Sequence, residues 1–170
     1  MPSEYLDISS SLRSGSLSRL LAQLLARELG SAAELVDLRD FPLPLCDGET
    51  AYSDANVAKL SAKISAARVI LLATPIYNFD ANAAAKNLVE LTGRAWENKI
   101  VGFACAAGGA VSYMAVMSLA NSLMLDFRCV ILPRFVYATS NDFADGTVAS
   151  PDLSARLKQL AEAATKLRIS

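Results

Sequence analysis

The segment Ser9-Ser10-Ser11-Leu12-Arg13-Ser14-Gly15-Ser16-Leu17-Ser18 packs six serines, one arginine and one glycine into ten residues. Hydroxyls, free backbone N–H groups and a guanidinium at a helix start suit a phosphate group. Capping by Ser16 or Ser18, with small polar residues filling a turn, is the plain structural alternative. A second segment, Thr74-Pro75-Ile76-Tyr77-Asn78, offers the flat face of Tyr77 and the donors and acceptors of Asn78 to a planar ligand. A packing tyrosine in a tight connection would look the same. In a third, Ala106-Ala107-Gly108-Gly109-Ala110, two glycines allow close approach of the backbone to a ligand, or simply a strand-to-helix turn.

Histidine is absent from the chain. That excludes Ser-His-Asp and Cys-His catalysis, histidine general bases and histidine-containing zinc or iron sites. An enzyme built this way uses other side chains or a cofactor's chemistry. Neither G-x-G-x-x-G nor G-x-x-x-x-G-K-[ST] occurs in the serine segment, which argues against a dinucleotide held in the Rossmann manner and against a nucleotide hydrolase. Cys105 as a redox thiol and Asp37 with Asp40 as a carboxylate pair are weaker candidates than a buried strand cysteine and a solvated loop. Lys86 and Asn87 fall near a helix start, facing either the crevice, a partner or solvent.

The elements that must position these segments follow from periodicity. Tyr5 to Ser9 reads as a first strand. Leu17, Leu20, Leu21, Leu24, Leu25 and Leu29 recur at helical spacing up to a stop at Gly30. Ala33 to Leu38 reads as a second strand. The prolines of Phe41-Pro42-Leu43-Pro44-Leu45 make a loop, and Ser53 or Asp54 caps a helix running to about Ala67. Arg68 to Thr74 is a near-continuous apolar run, the mark of a strand buried on both faces; it is expected to stop at Pro75. A helix over 81–91, a strand over 99–105, a helix over 112–125 and a strand over 128–132 follow, with Phe135 to Tyr137 as a candidate extension. Ser150 caps a last helix that starts at Pro151. Strands alternating with helices imply a parallel sheet covered on both faces with right-handed crossovers. The three unusual segments then follow the first, third and fourth strands, on one edge of the sheet, where they line a crevice.

With 170 residues, 53% hydrophobic and 19% charged, the chain is expected to form one folded domain over residues 1–170. The net charge of -1 gives no electrostatic ground for nucleic acid or an anionic membrane as partner. No apolar run approaches the ~20 residues of a bilayer span. Met1-Pro2-Ser3-Glu4 does not read as a signal peptide, so cytoplasm is the expected location. Cys46, Cys105 and Cys129 read as free thiols.

Taken in order, these segments resemble the NADPH-dependent FMN reductase family of flavodoxin-like proteins. The family's first loop, roughly G-S-L-R-x-x-S-x-N, is matched at Ser11, Leu12, Arg13 and Ser16; serine replaces the usual glycine at Ser10 and the usual asparagine at Ser18. Its T-P-x-Y-N is matched in full by Thr74 to Asn78. Ala85-Lys86-Asn87 resembles its L-K-N, Leu38 to Pro44 its D-L-x-x-x-x-L-P, and Ala107-Gly108-Gly109 its third loop. The resemblance implies an α/β flavodoxin-like three-layer sandwich with a five-stranded parallel sheet of order 2-1-3-4-5. It implies an FMN phosphate held by Ser11, Arg13, Ser16 and Ser18, and ribityl and ring contacts from Pro75, Ile76, Tyr77 and Asn78. Ala107, Gly108 and Gly109 would meet the ring from the third loop. The implied activity is electron transfer from NADPH or NADH through bound FMN to a small-molecule acceptor such as a quinone, flavin, azo compound or metal oxyanion. No protein acid or base is assigned. The implied assembly is a homodimer or homotetramer, for which the helix carrying Tyr113, Met114 and Met117 is a candidate contact surface. A flavodoxin-like electron carrier and a cofactor-poor binding or regulatory protein of the same fold are the alternatives.

Overall fold

The protein is described by a computed structural model covering residues 3–169. Its strands and helices alternate. β1 (Tyr5–Ser9) leads to α1 (Leu17–Leu29), β2 (Ala33–Asp37) to α2 (Ala55–Ala66), and β3 (Val69–Tyr77) through the short β4 (Asp80–Ala81) to α3 (Ala83–Thr92). β5 (Ile100–Ala107) leads to α4 (Met117–Phe127). After the short β6 (Val130–Ile131) and β7 (Val136–Thr139) comes a hairpin of β8 (Phe143–Ala144) and β9 (Thr147–Val148), then α5 (Pro151–Lys166).

β2, β1, β3 and β5 lie side by side in that order, all parallel, with β6 and β7 both on the far edge of β5. Counting main strands, this is the 2-1-3-4-5 order of a flavodoxin-like sheet. Alternate residues point to opposite faces, and each face has its own core. Leu6, Ile8, Ile70, Leu72 and Phe103 pack under α2, α3 and α4. Tyr5, Val69, Leu71, Ile100 and Ala104 pack under α1 and α5. Gly102 lets the second layer pack closely: a Cβ there would lie 2.7 Å from Leu71 Cδ2 and 3.1 Å from Leu160 Cδ1, so these side chains would have to shift.

The structure corrects several expected boundaries. β3 runs on through Pro75, Ile76 and Tyr77, and Pro75 still pairs with Ala106. The missing N–H of Pro75 is harmless because it faces the side where β1 has already ended: the Pro75 carbonyl on that side accepts from Asn82 N–H. β5 likewise extends to Ala107. The expected fifth strand is split. Five steps from Ile131 to Val136 face three from Val101 to Ala104, so the chain bulges around Pro133. α4 starts at Met117 rather than at Ser112, after a 3-10 turn over Ala110–Ser112. The stretch Ala110–Phe127 has a mean hydropathy of 1.3 over 18 residues, but its α-helical part is 11 residues, about 16 Å long, against the ~30 Å of a bilayer core.

Candidate active site

The loop after β1, the last residues of β3 and the last residues of β5 with the turn after it meet at the carboxyl edge of the sheet, around a cleft of about 370 Å³. Ligand clefts run from about 300 to 1,000 Å³. Of the residues singled out from the sequence, Arg13, Ser16 and Ser18 line it from the first segment and Pro75, Ile76 and Tyr77 from the second. Ala107 and Gly108 line it from the third. Ser11, Asn78 and Gly109 are not among the lining residues. The Ser11 hydroxyl accepts from Arg13 N–H at 3.3 Å and shapes the loop from within. Asn78 and Phe79 are the two left-handed residues (φ 49° and 66°) of the tight turn joining β3 to β4.

In the serine loop, capping and anion binding turn out to be compatible. Ser16 is the N-cap of α1 and accepts from Arg19 N–H at 3.3 Å. Its Oγ also lies 2.9 Å from that of Ser18. The two arginines nearby divide their work. Arg19 donates to Ser14 O at 3.2 Å and pairs with Asp37 at 3.3 Å, bracing the loop against the end of β2. Asp37 also accepts from Arg39, and burial pushes its carboxyl up while Arg19 opposes that shift. It therefore acts as an anchor and not as half of an acid–base pair with Asp40. Arg13 is exposed, and its guanidinium has no hydrogen-bond or ion-pair partner among the described residues.

Ser10, where the family carries glycine, has a defined task. It is buried, and its hydroxyl donates to Asn82 Oδ1 at 2.8 Å and lies 3.2 Å from Ala73 O. Asn82 in turn donates to Ser10 O at 2.9 Å, accepts from Thr74 Oγ1 at 3.1 Å and caps α3 through Ala85 N–H. This buried knot ties the first loop to the second. Ser10 is not among the residues lining the cleft. Asn82 escaped the sequence reading, although asparagine before an alanine-rich helical run is an N-cap signal.

At the third segment, Cys105 is fully buried and burial pushes its thiol up to about 12, so it offers no thiolate at neutral pH. Ser140, just beyond β7, closes the cleft from a part of the chain with no readable motif. Lys86 pairs with Glu90 on the surface. Asn87 pins the proline-rich loop, donating to Pro44 O and accepting from Cys46 N–H, each at 2.9 Å.

A larger cleft of about 540 Å³ lies beyond Leu12, between Leu38–Leu45 and the start of α3. Its polar side chains are already engaged, Arg39 with Asp37 and Asn87 with the loop, so it lacks the free polar groups that orient a cofactor. In the smaller cleft the Arg13 guanidinium has no partner among the described residues; it lies beside the mutually bonded Ser16 and Ser18 hydroxyls and the amino end of α1, and flat and small residues line the rest. That donor set fits a phosphate joined to a planar group.

Relatives with known descriptions point the same way. Residues 5–144 match the family model described as NADPH-dependent FMN reductase. An NAD(P)H-dependent FAD/FMN reductase of Geobacillus thermodenitrificans is 28% identical over 132 residues, covering 75% of this chain and 71% of the relative. An FMN reductase (NADPH) of Pseudomonas aeruginosa is 28% identical over 177 residues, covering 98% and 92%. Among solved structures, the flavoenzyme NAD(P)H:(acceptor) oxidoreductase FerB of Paracoccus denitrificans superposes with a TM-score of 0.77 at 22% identity, covering 94% of this chain and 93% of that one. The chain belongs to the NADPH-dependent FMN reductase family, and is an NAD(P)H-dependent flavin reductase of flavodoxin-like fold.

Proposed function

We propose that the 370 Å³ cleft holds FMN and that the protein passes electrons from NADPH or NADH to a small organic acceptor, a quinone or free flavin before an azo compound or metal oxyanion. The observation that carries this reading is the meeting, in one cleft, of an unpaired guanidinium and two hydroxyls with flat and glycine-bearing segments from two other strands. Arg13, Ser16 and Ser18 take the phosphate. Pro75, Ile76 and Tyr77 lie along the ribityl chain and ring, and Ala107 and Gly108 meet the ring from the other side. When bound, FMN supplies the hydride and electron chemistry, which removes any need for histidine. The protein positions the ring, keeps water off the apolar floor of Pro75, Ile76 and Ala106, and leaves one side open for donor and acceptor. Arg13 is the single charged residue of the lining. Once it faces a phosphate, no cation is left there to draw in an oxyanion, which favours neutral planar acceptors. Tyr77 on the cleft lining, and Val111, Tyr113 and Met114 in the stretch that follows the third segment, are at least half exposed, Val111 at 85%. These exposed apolar residues support a homodimer or homotetramer in which a partner subunit covers them. The free thiols Cys46, Cys105 and Cys129 fit the reducing cytoplasm.

The test is anaerobic. Protein loaded with FMN is mixed with NADPH or NADH and the visible flavin band is followed, then acceptors are added singly. Bleaching, followed by faster recovery with a quinone or flavin than with chromate, is the expected outcome. Bound flavin that neither nucleotide bleaches would refute the reductase reading.

A further inference from the structure

The stretch that follows β5 has little to hold it. A Cβ added at Gly108 or Gly109 would meet nothing within 4 Å, so packing does not fix these residues. Their tie to the rest of the protein comes from β7. Tyr137 is 6% exposed, and its hydroxyl donates to the Gly109 carbonyl at 2.6 Å, across 28 residues of sequence. Its own position is secured three ways. It pairs with Cys105 in the β5–β7 ladder, and its carbonyl accepts from Arg156 at 3.1 Å. The ring of Tyr113, at the far end of the same loop, packs edge-on against it at 5.6 Å and tilted against Phe135 at 5.1 Å. Since a peptide unit is planar and trans, fixing the Gly109 carbonyl also fixes the opposite direction of the Ala110 N–H.

We infer that Tyr137 is a positioning residue for the flavin ring: it touches no cofactor atom itself, and presets the glycine loop that meets the ring. The inference rests on the cleft being the FMN site. Tyr137 acts on the ring end, as Arg13 acts on the phosphate end. Losing its hydroxyl therefore weakens FMN and riboflavin alike, because both carry the same ring and differ only in the phosphate. Unmaking one neutral hydrogen bond corresponds to about a two- to ten-fold loss of affinity.

Flavin fluorescence quenching, titrated for wild type and Tyr137→Phe with FMN and with riboflavin, gives the answer at a temperature where both are folded. The phenylalanine keeps the ring packing. Tyr113→Leu, at a half-exposed position, removes the ring packed on Tyr137 and Phe135, the second tie on the same loop. Equal losses for the two flavins in both variants, with a changed visible circular dichroism of the bound flavin, are expected. A role confined to folding would lower the melting temperature and leave these titrations alone. Wild-type affinity in Tyr137→Phe, or a loss for FMN only, would overturn the inference. Wild-type protein that binds neither flavin would instead overturn the assignment of the cleft.

Discussion

Replacing Asp7 with asparagine will flatten the pH dependence of this protein's stability. Asp7 lies in the middle of β1, fully buried, with Leu35 and Leu71 as its register neighbours and Tyr5 two residues back on the same face. Neither carboxyl oxygen has a hydrogen-bond partner among the described residues. Desolvation of the charged form therefore pushes its pKa up to about 8. The folded state then binds this proton more tightly than the unfolded chain, whose value is ~3.9. The stabilisation is complete below about pH 4 and is lost progressively as pH rises to about 8. At about 1.4 kcal/mol per pH unit, wild type loses about 3 kcal/mol relative to Asp7→Asn between pH 5 and pH 7, and the difference levels off above about pH 9. With a urea m-value of about 2 kcal/mol/M, this moves the midpoint by more than about 1 M. Urea unfolding of both proteins at pH 5, 6, 7, 8 and 9 measures it, and the difference between them removes the titration of every other group. Parallel curves over that range would mean that Asp7 ionises normally inside the fold, and the argument from its burial would fail.

Other substitutions probe the knot and the thiols. Asn82→Ala removes the centre of the bonds joining Ser10, Thr74 and the start of α3; it is expected to cost about 2–4 kcal/mol in urea unfolding, and a loss below 1 kcal/mol would show the knot to be incidental. Thiol titration of the native protein should modify Cys46 quickly, with Cys105 and Cys129 reacting only in denaturant, since burial pushes their thiols up to about 12 and about 11. Prompt reaction of Cys105 would contradict its burial in the core.

The sequence carried the parts of this fold that local pattern can carry. The run from Val69 to Ala73 is apolar at every position because β3 is covered on both faces, and the leucine spacing of α1 matches its one buried stripe. Ser16, Gly30, Asp54 and Ser150 act as helix ends through contacts within a few residues. What stayed hidden depends on distant partners. Pro75 could join a strand only because β1 had ended beside it. The fifth strand broke where Pro133 forced extra residues out of register. The tasks of Ser10, Asn82, Asn87 and Tyr137 are hydrogen bonds spanning 72, 72, 41 and 28 residues. For the candidate site, Arg13, Ser16, Ser18, Pro75, Ile76 and Tyr77 line the cleft while Ser11 and Asn78 serve their own turns, and Ser140 comes from a turn with no signature of its own.

The place of the phosphate in the serine loop is tested most directly at Arg13. Arg13 is exposed and bonds to nothing else described in the protein, so Arg13→Ala should leave folding unchanged. A charge-assisted hydrogen bond is worth about 1.5–3 kcal/mol, about a ten- to hundred-fold change in Kd. Titrating wild type and Arg13→Ala with FMN and riboflavin isolates that bond. FMN binding is expected to weaken by that factor while riboflavin binding holds. Equal changes for the two flavins, or none, would contradict the placement of the phosphate in the serine loop.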